Sequence, residues 1–92
     1  AGDRDIATDD PNLPSQPEAL AQGPHRFARS HRMIELGRAE AQRRGAPCNW
    51  VHIEVPGIGH DGEAMSHAAA AYWFEGRIPG AAAAGAPART VA

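Results

Sequence analysis

The chain has 92 residues, a formal net charge of -2 and few aromatics (two Phe, two Trp, one Tyr), enough for one small domain with a thin core. That charge excludes an electrostatic case for nucleic acid or an anionic membrane surface, and the longest basic run, Arg43-Arg44, belongs to a solvated helix face. A single cysteine, Cys48, excludes a disulfide framework or a cysteine-based zinc motif, and no apolar run approaches the roughly 20 residues of a membrane span. There is no lysine, and every basic side chain is arginine, which reflects genome composition more than mechanism. The start at Ala1, without an initiator methionine, fits processing of the chain and fits equally a piece that begins inside a larger domain. No secretory signal is read, and a cytoplasmic location is the expectation.

The first five residues, AGDRD, read as a strand end running into a loop. Residues 6–23 are punctuated by Pro11, Pro14 and Pro17 and carry the acidic pair Asp9-Asp10, so they are expected to be irregular apart from one helical turn at Pro17–Leu20. From Pro24 to Arg44 the pattern is helical. Phe27, Ser30, Met33, Ile34, Gly37 and Ala41 form one stripe, and Gly45 and Pro47 supply the stop. Asn49–Val55 reads as a strand with Val51, Ile53 and Val55 on one face and Trp50, His52 and Glu54 on the other. Its polar second face predicts an edge or partly exposed strand. A glycine-rich loop, Pro56–Gly62, precedes a second helix over 63–74, capped by Asp61, with Met65, Ala68, Ala69, Tyr72 and Trp73 inward. Residues 77–92 have too few large apolar side chains to pack and are expected to form a disordered Ala/Gly/Pro-rich tail.

Strand end, helix, strand, helix is a βαβα unit, which implies an α/β fold with a parallel sheet and right-handed crossovers. Two strands do not make a stable doubly wound sheet. The missing strands come from an absent N-terminal portion, from another chain, or not at all. In open α/β sheets functional groups gather beyond the carboxyl ends of the strands. Asp5 follows the first strand end and His60 the second, so both are expected at one sheet edge. A histidine base needs a carboxylate to hold its tautomer and to stabilise the imidazolium that forms. Gly57 and Gly59 are expected to turn the loop sharply and lift His60 out of the strand.

Gly2-Asp3-Arg4-Asp5 resembles the G-x-x-D after the penultimate strand of the α/β-hydrolases, in which the last Asp is the triad acid. Val55-Pro56-Gly57-Ile58-Gly59-His60-Asp61 is similar to that family's final strand and glycine-histidine loop. The order, acid before histidine, is the family's order. The resemblance covers residues 1–76 and implies the C-terminal βαβα part of an α/β-hydrolase sheet, incomplete on its own. It implies catalytic roles for Asp5 and His60 in an esterase-like serine hydrolase, with no metal or organic cofactor. The G-x-S-x-G nucleophile elbow is absent, since Ser15, Ser30 and Ser66 are the only serines and none stands between paired glycines. The chain alone is therefore expected to be inactive. Its implied partners are a small ester or related acyl substrate and the missing N-terminal part of the domain, with no nucleic acid and no membrane.

Asp3 is the runner-up for the triad acid. Asp61 reads as a helix cap. His67 lies seven residues after His60, yet no third ligand stands at zinc-site spacing, so no metal is expected. His25, His31 and His52 read as exposed or partner-satisfied structural residues. Arg26 and Arg29 read as solvated helix charges, with the lining of a substrate entrance as the alternative. The rival to the hydrolase is a truncated or divergent fragment acting as an interaction module, and a third class is a small metal-binding domain.

Overall fold

The computed structural model describes residues 1–78 and 90–91. Pro17, with its φ preset for a helix, opens a single turn, α1 (Pro17–Leu20). The main helix, α2 (Arg26–Arg43), begins two residues later than its pattern suggests. His25 stays extended and its Nδ1 accepts the Ala28 N–H at 3.1 Å, taking the cap position that the sequence assigned to the helix itself. Glu40 binds both Arg43 and Arg44 at the other end. β1 (His52–Ile53) is followed by α3 (Gly62–Glu75), whose first turn is capped by Asp61 Oδ1 accepting the Ala64 N–H at 3.1 Å. No helix among the described residues is long and apolar enough to cross a membrane.

Residues 90–91 form β2 (Thr90–Val91), antiparallel to β1 with His52 opposite Val91 and Ile53 opposite Thr90. Residues 79–89 and 92 lie outside the described residues, and with them most of the tail expected to be disordered. Gly2 and Val55 make one parallel bridge, so the two expected strands run the same way with α2 between them. Among the described residues the parallel sheet goes no further than this bridge. The expected strand over 49–55 is likewise shorter, because a strand exists only where a partner accepts its hydrogen bonds.

The core among the described residues is small: Leu13, Ile34, Val55 and Ala71. Trp73, expected inward on α3, is 73% exposed, and Ala71 is buried instead. At about 100° per residue, Trp73 stands one step beyond Tyr72 and off the arc of Ala64, Ala68 and Ala71. Met33 of the α2 stripe is also exposed.

The larger correction concerns the polar face of β1. His52, on the face expected to be partly exposed, is only 8% exposed, while Val51 on the apolar face is 43% exposed. α2 lies against the polar face and meets it with polar side chains of its own. His52 Nε2 is 2.8 Å from Ser30 Oγ, the His31 ring stacks on His52 at 4.3 Å, and His31 Nε2 is 3.0 Å from Glu54 Oε1. Ser30 donates its own proton to Phe27 O at 2.6 Å, so the neutral His52 donates from Nε2. Nδ1 is left buried without a partner among the described residues.

Burial, then the neighbouring His31 charge, hold the His52 pKa below its ordinary value, with Glu54 opposing. The unfolded chain therefore binds the proton first as pH falls. Stability from this group is complete above the ordinary histidine value of about 6.5 and is lost as pH drops through the lowered folded value. The thermal midpoint is expected to decline below about pH 6.5, and His52→Gln, which cannot titrate, to flatten that decline. Identical midpoint-against-pH curves for the two proteins would remove His52 from the acid sensitivity.

Candidate active site

The site is built where the first strand end meets the loop after β1. Val55 N–H donates to Ala1 O at 2.8 Å, Asp3 N–H to Val55 O at 3.1 Å, and Arg4 N–H to Ile58 O at 2.8 Å. The pairing thus follows the chain past the end of β1 and around the Pro56-Gly57 corner. Gly57 has φ +76°, a conformation that favours glycine after a turn-initiating proline. Gly59 shares none of this, since its φ is not positive. The sharp turn expected of two glycines belongs to Gly57 alone.

Gly2 serves the site through its missing side chain. A Cβ there would stand 2.2 Å from Ile58 O and 2.9 Å from Gly59 O, both backbone atoms. Only a glycine lets the strand end press this closely against the histidine loop.

This contact brings together the two residues singled out from the sequence. His60 Nδ1 lies 3.0 Å from Asp5 Oδ2, across a separation of 55 residues. The Asp5 side chain is 14% exposed and that of His60 is 64% exposed. A neutral His60 that donates its Nδ1–H to the carboxylate keeps Nε2 as the free acceptor, the tautomer needed by a general base. Nε2 has no hydrogen-bond partner among the described residues. Asp5 is itself held by its backbone, with its N–H donating to Gly2 O at 3.2 Å and its carbonyl accepting the Phe27 N–H at 2.9 Å.

Three further residues surround this pair. Arg26 Nη1 donates to Asp10 Oδ2 at 3.0 Å and stands 4.0 Å from Asp5 Oδ1, tying the proline-rich loop and the start of α2 to the acid. Arg26 is therefore an ion-pair partner here and not the solvated helix charge expected. The Asn12 N–H, and after it the Arg26 guanidinium, hold the Asp10 carboxyl below the usual carboxylate range, with His60 contributing least. The acidic pair and Arg26 were each visible in the sequence, but no spacing pattern links a loop carboxylate to a helix 16 residues on. Asp3, the alternative acid, does not take the place of Asp5 beside His60. Its Oδ1 accepts the Gly57 N–H at 2.8 Å.

No serine lies within hydrogen-bond reach of His60 among the described residues. Ser30 bonds Phe27 and His52, Ser66 donates to Gly62 O, and Ser15 is exposed. Arg29 donates from Nε to Gly23 O at 2.9 Å, which makes it a structural side chain of the loop. Among the described residues no group of three or more His, Cys, Asp or Glu is arranged to hold a metal ion.

No family model matches this chain, and no curated protein matches it. Among solved structures it is similar to LpqC, a poly(3-hydroxybutyrate) depolymerase from Bordetella parapertussis, with 58% identity over 88% of this chain and a TM-score of 0.79. The chain spans 28% of that protein's length. The likeness is consistent with an α/β fold and supports a hydrolase-related role.

Proposed function

We propose that this chain is the C-terminal portion of an esterase-like serine hydrolase and supplies the acid and the histidine of its triad. The observation that carries the proposal is the 3.0 Å contact of Asp5 with His60 Nδ1, on a ring that remains largely exposed. In this scheme the serine is contributed by chain outside these 92 residues. Its oxygen attacks the acyl carbon while His60 Nε2 takes its proton and delivers it to the departing alkoxide. Water then repeats the exchange on the acyl-enzyme, and Asp5 holds the ring and balances the imidazolium in both halves. The substrate class is a carboxylic ester, and the polyester in the name of the similar structure supports a hydroxyalkanoate ester as one example. Nothing in this scheme calls for a metal or an organic cofactor.

The test uses an aryl butyrate ester. The purified chain is expected to show no turnover above its own His60→Ala variant. A longer product of the same gene that carries a G-x-S-x-G elbow is expected to turn over the ester and to lose that activity with His60→Ala. Turnover by the chain alone that depends on Ser15, Ser30 or Ser66 would defeat the proposal, as would a longer product whose activity survives loss of His60.

A further inference from the structure

The Pro56-Gly57 corner that carries His60 out of the strand is a tight turn between Val55 and Ile58. A two-residue corner does not by itself hold a side chain two residues further on in one place. Here the corner is also held from outside. Val55 O, on its near side, accepts the Asp3 N–H at 3.1 Å, and the Gly57 N–H, at its apex, donates to Asp3 Oδ1 at 2.8 Å. One residue therefore grips both the entry and the tip of the turn. Arg4 N–H takes Ile58 O at 2.8 Å on the far side, and Asp5 then reaches His60. Asp3 and Asp5 flank Arg4 in a tight turn that the Asp5 N–H closes by donating to Gly2 O at 3.2 Å. The two carboxylates thus divide one task, with Asp3 on the loop backbone and Asp5 on the loop histidine.

We infer that Asp3 is a positioning residue, whose carboxylate sets the conformation of the 56–60 loop and through it the place of His60 against Asp5. This rests on the role proposed for Asp5 and His60, and adds a second acid that never touches substrate. A bond from a backbone N–H to an ionised carboxylate is stronger than one between neutral groups, so the charge as well as the oxygen contributes.

The test is made on the 15N-labelled chain, with the Ile34 amide as the internal standard for folded molecules. In the unmodified chain the Gly57 amide is expected to be protected from hydrogen exchange, although it lies in an exposed loop. Asp3→Ala is expected to lower that protection by on the order of tenfold or more, and to let the His60 ring lose its Nδ1–H tautomer. Asp3→Asn keeps an oxygen acceptor and is expected to restore most of both signals. Asp3→Ser, too short to reach, is expected to restore neither and serves where the alanine variant does not fold. An unprotected Gly57 amide in the unmodified chain overturns the inference. So does a His60 ring that keeps its tautomer after Gly57 has been released, because Asp3 would then be a local turn residue only. Asp5→Ala separates the two ideas. It is expected to release the His60 tautomer while leaving Gly57 protected, and a tautomer unmoved by Asp5→Ala strikes at the dyad and not at the loop anchor.

Discussion

Asp5→Asn is expected to lower ester turnover by about four orders of magnitude in a longer, active product of this gene. The loss has two physical sources. An amide can turn its NH2 toward His60 Nδ1, which stabilises the tautomer with the proton on Nε2. That ring cannot accept a proton from a serine. The imidazolium that forms during the reaction also loses its counter-charge, now 3.0 Å away. Arg26 remains in place, held by Asp10, so the packing around position 5 should survive and the effect should fall on kcat more than on KM. Within the 92-residue chain the same substitution is read without any activity, as a change in the 15N shifts of the His60 ring. A loss of turnover under tenfold, or an unchanged tautomer, would show that another group holds the ring.

Gly2→Ala is the second large effect expected. A single methyl group at this position would collide with Ile58 O at 2.2 Å and Gly59 O at 2.9 Å. Both atoms belong to backbone, and Ile58 O is already committed to Arg4 N–H. No side chain can swing aside, so either the strand end or the histidine loop must move. Overpacking of this sort costs about 1–3 kcal/mol. In a chain of this size each kcal/mol lowers the thermal midpoint by roughly 4–8 °C. The movement also separates Asp5 from His60, so the Nδ1–H tautomer should be lost together with stability. Gly62→Ala is the matched control, because a Cβ there meets nothing within 4 Å. Equal midpoints for the two alanine variants would mean that the close approach at Gly2 contributes nothing.

Much of the local structure was legible because its causes are local. The α2 stripe, the proline at the start of α1 and the Asp61 cap act within a few residues of themselves, and the observed elements follow them to within two residues. The juxtaposition of Asp5 and His60 was accessible for a different reason. A helix between two strands returns the chain to run parallel, which leaves both loops at one edge. Buried faces were harder. Alternation over Trp50–Val55 separates two faces but cannot say which one a helix will cover. α2 covered the polar one, where Ser30 and His31 met His52 and Glu54.

By itself, then, the sequence determined the helices, their ends, the order of acid before histidine and the absence of a nucleophile elbow, since each is set by neighbours along the chain or by plain residue identity. Only the tertiary structure decided that Gly2 must be a glycine, that Asp3 anchors the Gly57 corner and that Arg26 joins Asp10 to Asp5. Those contacts span from 16 to more than 50 residues. They depend on where two backbones come to rest against each other, and no periodicity or short motif encodes a distance of that kind.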